Sequence, residues 1–394
     1  LFDFSIGGKT VWIASKSYFR VGLKLTKADG TTQPELADDV AFANGVCGNL
    51  FDNVYFYAGG QNVSSITNYC GHAHSAGYRL RKSGAWLNTI GKDAWGINSS
   101  FDLRRQLVSS DSTFLSGGAD DDLANYPQNN DTNENVVYVL FQPPIGIMEH
   151  SKPMASGDYR FQFNPNSSYK RSCVESSVDS KIPGTDYEFE VESMELYICT
   201  EMMDVSPSGT DSLNLMEHQV QSKPLGTAGD KNFDFTIPPS TKAISLFVQS
   251  GDAGKNTLVP QSSFKCKAGE EKSLRSLQLS YANITRPPTR WNSEYSTTSG
   301  VKRLQQRYLD TQIESSQAFS SGGCQTIQQW LDDGVLLHYS WIRDSNDRST
   351  QLQVQIDYNE AEANSNIFVI AHYTRSVDIE VNNGYVSQVT SITI

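Results

Sequence analysis

The sequence predicts an all-β protein made of two consecutive domains of the jelly-roll type, with short helices and long loops inserted between strands. Three observations carry this. Apolar and polar residues alternate with period two from one end of the chain to the other. Helical periodicity is confined to two segments of the second half. The 394 residues exceed one ordinary core and suit two domains of about 200 residues each.

The strands can be taken in order. Phe19, Val21, Leu23 and Leu25 alternate with Arg20, Gly22, Lys24 and Thr26, and Tyr159, Phe161 and Phe163 alternate with Arg160 and Gln162. In "QLQVQIDY" (351–358) Leu352, Val354, Ile356 and Tyr358 face one way, with three glutamines and Asp357 opposite, the mark of a half-buried strand. "DYEFEVESMELYICT" (186–200) changes phase: Tyr187, Phe189 and Val191 are followed by Met194, Leu196 and Ile198, as a β-bulge would require. Asn383-Gly384 separates two alternating runs and predicts a hairpin with a type I′ turn. The two helices are expected over 301–316, with Val301, Leu304 and Tyr308 on one stripe, and over 324–334, with Cys324, Ile327 and Leu331 on the apolar side.

Hydrophobic patterning is weakest in "MMDVSPSGTDSLN" (202–214), punctuated by Pro207 and Gly209. The expected division is therefore a first domain over 1–204, a linker over 205–217 and a second domain over 218–394. Two turn-rich segments, 26–50 and 98–134, interrupt the first domain; loops that long serve function or contact.

Composition narrows the function. A net charge of −12, from 32 basic and 44 acidic residues, argues against a phosphate-neutralising surface, and no Lys/Arg run supplies one. The longest apolar run, "VVYVLF" (136–141), is too short to cross a bilayer. The six cysteines (47, 70, 173, 199, 266 and 324) have no C-x-x-C spacing and read as free thiols of a reducing compartment. The start of the chain does not resemble a signal peptide. Five N-x-S/T sequons, at Asn62, Asn98, Asn130, Asn166 and Asn283, are a number that an Asn/Ser-rich chain makes by chance.

The motif that most invites chemistry is "NYCGHAHSAG" (68–77). If it were a strand, Cys70, His72 and His74 would share one face and converge on a metal. A His-x-His pair in a jelly roll resembles the cupins, but Ile66 stands where their first motif has glycine, and 75–79 hold no carboxylate. The other histidines, 150, 218, 338 and 372, show no ligand spacing. "ADDDLAN" (119–125) fails the register of a calcium loop, and Cys324 falls on an apolar helix stripe where a buried, inert thiol is the usual finding. Most aromatics occupy alternate strand positions, where core packing explains them better than a carbohydrate groove.

The second half carries a resemblance. "HQVQSKPLGTAGDKNFDFTIPPSTKAISLFVQSGD" (218–252) runs strand, Pro-Pro corner, strand. It is followed by "SLQLSYANITRPP" (276–288), the helix at 301–316 and "LQVQIDYNEAEANSNIFVIAHYTRSVDIEVNNGYVSQ" (352–388). This order resembles the second barrel of double jelly-roll major capsid proteins, most closely those of virophages and polinton-like viruses. "SIGGKTVWIAS" (5–15), "FDNVYFYAGGQNV" (51–63) and "YEFEVESMELYICTEMM" (187–203) resemble the opening, middle and closing strands of the first barrel.

The resemblance implies two eight-stranded barrels standing upright on a capsid. It also implies a homotrimer of pseudo-hexagonal outline that tiles an icosahedral shell against neighbouring capsomers, penton proteins and minor capsid proteins. Loops such as 98–134 would form towers or clasp neighbours, and the terminal extensions of many relatives are not expected in this chain. No catalytic residue, cofactor, metal or direct nucleic-acid contact is implied. The location would be the virion capsid, assembled inside the infected host cell. Other readings stay open: a carbohydrate-binding or adhesin module, a cupin-like metal enzyme using His72 and His74, and, closer to the resemblance, a minor or vertex capsid protein, although those usually hold a single jelly roll.

Overall fold

The computed structural model describes all residues except 99, 111–135, 177–184, 205–207, 250–273, 293–297, 319–322, 324, 328–329, 331–335, 342–348 and 359–364. Its first half holds β1 (Phe2–Ile6), β2 (Thr10–Trp12), β3 (Tyr18–Lys27), β4 (Val40–Phe42), β5 (Phe51–Ala58), β6 (Gln61–Ile66), β7 (Val136–Phe141), β8 (Gly157–Pro165), β9 (Val174–Ser176), β10 (Tyr187–Tyr197) and β11 (Thr200–Met202). The second half holds β12 (Gly209–Pro224), β13 (Gly229–Thr236), β14 (Thr241–Gln249), β15 (Leu274–Tyr281), β16 (Ile284–Asn292), β17 (Leu337–Ser340), β18 (Gln351–Tyr358), β19 (Asn366–Asn382) and β20 (Tyr385–Thr393).

Each half is two sheets between which the chain passes back and forth. In the first, the order β1-β8-β5-β6 faces β10-β3-β7, with short pairs β2/β11 and β4/β9 alongside. In the second, β12-β19-β14-β17, extended by β20 on β19, faces β13-β18-β15-β16. All these named pairs are antiparallel, and apart from the hairpins β5-β6, β15-β16 and β19-β20 the hydrogen-bonded neighbours come from distant parts of the sequence, as in a jelly roll. Alternation sets the packing. Phe19, Val21 and Leu23 of β3 meet Val54, Phe56 and Phe161 across one barrel, and Ile244, Leu246 and Val248 of β14 meet Leu279, Val354 and Ile356 across the other, all at zero exposure. Each such side chain is worth about 1.5–3 kcal/mol on burial. The two interiors join into one continuous apolar cluster.

The local signals translate directly. The phase change in β10 is a bulge between Val191 and Ser193, where the register against β3 slips by one residue. The Pro238-Pro239 corner carries the chain from β13 in one sheet to β14 in the other. Asn383 and Gly384, at φ 52° and 81°, make the two-residue turn between β19 and β20. The helix expected over 301–316 spans Thr298–Ala318. Tyr308 on its expected stripe donates to the Gln325 carbonyl at 2.6 Å and packs against Trp330.

Two expectations are corrected. Residues 209–217, read as linker, are the first half of β12, whose partner β19 runs beside it from Gly209 to Pro224. Patterning there is weak because the polar Ser212 and Asn214 alternate with Leu213 and Leu215, only the latter pair being buried, and Asp211 breaks the apolar phase one step earlier. Residues 70–74 are helix, not strand. The segments 26–50 and 98–110 are also less loop-like than their turn residues suggest. They contain β4, a helix at Val46–Asn49 and a helix at Phe101–Val108, whose Arg104 donates to the Phe42 carbonyl at 2.8 Å and pairs with Glu175 at 2.6 Å. The expected towers of 111–134 and the calcium-like segment 119–125 lie outside the described residues, as do Cys266, Cys324 and most of the helix expected over 324–334.

Candidate functional site

The helix Cys70–Arg81 separates the residues that a strand would have brought together. At 100° per residue, positions i and i+2 point nearly opposite ways. His72 reaches out to the second half, where Nε2 meets the Gln249 side-chain oxygen at 2.8 Å and the ring stacks on Phe368 at 4.3 Å. His74 lies against the edges of Tyr78 and Phe141. Cys70 is fully buried, and burial pushes its thiol well above the ordinary range. Burial likewise lowers His72 to about 4 and His74 to about 3, so both rings are neutral at pH 7. Among the described residues no three His, Cys, Asp or Glu side chains are arranged to hold a metal ion. Among the same residues Cys47, Cys70, Cys173 and Cys199 are free thiols.

Chemistry-bearing groups do gather, but elsewhere: at the seam where the helix Cys70–Arg81 lies on β12, β14 and β19. Arg81 pairs with Glu149, and its Nη2 meets Nε2 of the fully buried His218 at 3.0 Å. His218 Nδ1 lies 2.9 Å from His372 Nδ1, His372 Nε2 lies 2.7 Å from Ser245 Oγ, and Ser245 Oγ lies 2.8 Å from His338 Nδ1. Arginine has donors only, which fixes the protons of the first two rings along this chain. His218 accepts at Nε2 and donates from Nδ1; His372 accepts at Nδ1 and donates from Nε2 to Ser245; the serine hydroxyl can donate to His338 Nδ1 or accept from it. The imidazoles of β12 and β19 are thus held neutral in one tautomer each, by a guanidinium of the other half. Burial depresses all three histidines, His338 to about 3.

Beside them, Glu217 crosses the seam in the other direction. It is fully buried, and Oε1 accepts from Ser64 Oγ of β6 at 2.5 Å, while Ser64 also accepts the Ile147 amide at 3.1 Å. Burial raises this carboxyl to about 7, against the opposing pull of the Ser64 hydrogen bond and the nearby Arg375. Arg375 in turn donates to the Asn62 carbonyl at 3.1 Å. An open cavity of about 470 Å³ lies on the same seam, with Arg81, Lys82, Trp86, Trp95, Glu149 and His150 among its walls.

None of this was signalled by spacing: His218, His338 and His372 are far apart in the chain and adjacent only through sheet register. Five of the six histidines are buried in the fold, which the sequence does not announce. Exposed large apolar side chains collect elsewhere, along β10 and β11 at Val191, Tyr197, Met202 and Met203, and on the helix Thr298–Ala318 at Leu309 and Ile313.

No family model matches the chain, and no curated protein sequence does. Solved structures do. A chain of the Sputnik virophage particle, determined by cryo-EM, superimposes with a TM-score of 0.56 at 13% identity, over 100% of this chain and 85% of that one. The crystal structure of the mavirus major capsid protein gives 0.54 at 11% identity, with the same coverages. The fold is a double jelly roll. Both barrels of this double jelly roll are matched, because the superposition runs the whole length of the chain. At such identity the likeness is one of fold, carried by strand order and not by shared side chains.

Proposed function

We propose that this double jelly-roll chain is the major capsid protein of an icosahedral double-stranded DNA virus. Three copies would form a pseudo-hexagonal capsomer that tiles the shell beside neighbouring capsomers, penton proteins and minor capsid proteins. The carrying observation is two jelly rolls in one polypeptide, matched from end to end by the mavirus major capsid protein. A structural role also suits the seam, whose histidines are buried too deeply for substrate and bond to one another and to Ser245. The division of labour would follow the sheets, with a first barrel ending near residue 204 and a second beginning at β12. The virion capsid is the location, after assembly in the infected cell.

Light scattering on the purified chain, followed by negative-stain imaging, tests this. A species of three chain masses with a hexagonal outline supports the capsomer. A monomer at every concentration overturns it, and a mass that collapses on adding a strong chelator would return attention to metal chemistry.

A further inference from the structure

The seam has a property that packing alone does not require: its hydrogen bonds run in one direction only. Arg81 of the helix Cys70–Arg81 can only donate, so His218 and His372 must each accept on one side and donate on the other, and Ser245 must accept from His372. A proton added to His218 places N–H against the donors of Arg81. A proton added to His372 places N–H against the N–H of His218. Only at the far end is there slack, because the Ser245 hydroxyl can turn to accept from a protonated His338. We propose that this one-way histidine chain makes the joint between the barrels an acid-sensitive latch, which opens when the rings take up protons and loosens the helix Cys70–Arg81 from the sheet of β12, β14, β17 and β19.

Every charged or titratable group facing the chain bears on the sign. Arg81 repels any new charge on the rings, and Glu149, paired with Arg81 and 3.7 Å from His218 Nε2, partly offsets that repulsion. His72, hydrogen-bonded to Gln249 of β14, is a fourth buried neutral ring on the same face. All four histidines lie below their ordinary value of 6.5, so the stability they give is complete above about pH 6.5 and is lost progressively as pH falls below it. Glu217 acts oppositely: raised to about 7, it favours the closed seam as pH falls from 7 toward 4.5. Between pH 7 and 5 His72, held at about 4 and released to 6.5, favours opening about 20-fold, while Glu217 opposes by about 40-fold. His218, His338 and His372, all depressed by burial, act on the side of His72, so the rings together outweigh the one carboxyl.

Hydrogen exchange on the full chain at pH 7.5 and pH 5, corrected for the intrinsic pH dependence of exchange, reads this directly. Protection is expected to fall at pH 5 in the helix Cys70–Arg81 and in β12, β14, β17 and β19, with β5 and β8 little changed. Equal loss throughout the molecule, or none at the seam, overturns the latch. Arg81→Gln provides an independent check, because an amide can accept as well as donate. The variant should be less stable at pH 8, yet its acid transition should move to lower pH. A midpoint that stays put or rises would assign Arg81 a packing role only and overturn the one-way chain. Should the variant fail to fold, exchange on the unaltered protein still decides.

Discussion

The two barrels answer the same topological problem with different degrees of closure. In the second, β19 is flanked on both sides: β14 pairs with its first half, β20 with its second half, and β12 runs beside it for sixteen residues, from Gly209↔Val381 to Pro224↔Asn366. In the first, β10 holds the corresponding place, pairs with β3, and has no strand on its other edge among the described residues. Side chains register the difference. Ile367 and Val369 of β19 are 0% and 1% exposed, while Val191 of β10 is 41% exposed despite lying in the inward phase of its strand. The same residue pattern therefore does not guarantee the same burial, because a strand's neighbours, as well as its own alternation, decide how dry its face becomes.

The largest test of this contrast is a matched pair of truncations. Leu246→Ala, in the middle of the closed sheet at zero exposure, should cost about 2–5 kcal/mol in chemical denaturation. Leu196→Ala, on half-buried β10, should cost less than half as much; equal losses would mean that β10 is covered as fully as β14. The bulge comes next. A Cβ on Gly22 would sit 2.7 Å from Ser193 Oγ and 3.0 Å from the Tyr138 ring, so Gly22→Val should cost about 1–3 kcal/mol by overpacking the point where β10 slips register. A neutral result would show that the bulge relaxes freely. Smaller still, Gly384→Ala, at φ 81° in the β19–β20 turn, should lower stability by about 1 kcal/mol, visible as a modest drop in Tm. The finest measurement is amide exchange, in which the outer edge of β10 should exchange well ahead of β19 at pH 7.5.

What the sequence made legible follows from the reach of each signal. Alternation in β18, the phase change in β10, the Asn-Gly turn and the stripe on the helix Thr298–Ala318 are local patterns and translate into local structure. "CGHAHSAG" misleads because alternation of small residues with His reads as period two, whereas Ala73, Ser75 and Ala76 pack equally well along a helix whose last turn carries Arg79 and Arg81 toward the negative end of its dipole. The seam was illegible for a different reason. His218 meets His372 only because β12 and β19 pair in one particular register, and Arg81 reaches His218 only after a helix of the first half has packed on a sheet of the second. No spacing in a single chain announces a contact between positions 137 and 154 residues apart.

The continuous core has a mechanical consequence. Ser64 bonded to Glu217, Arg375 to Asn62, and apolar side chains of both barrels in one cluster tie the two barrels together at several points among the described residues. Such ties resist a swing of one barrel on the other at neutral pH. Any sheet or shell assembled from this chain must take up curvature at the boundaries between chains, so the bending stiffness of the assembly is set by its weakest lateral contact and not by the polypeptide itself.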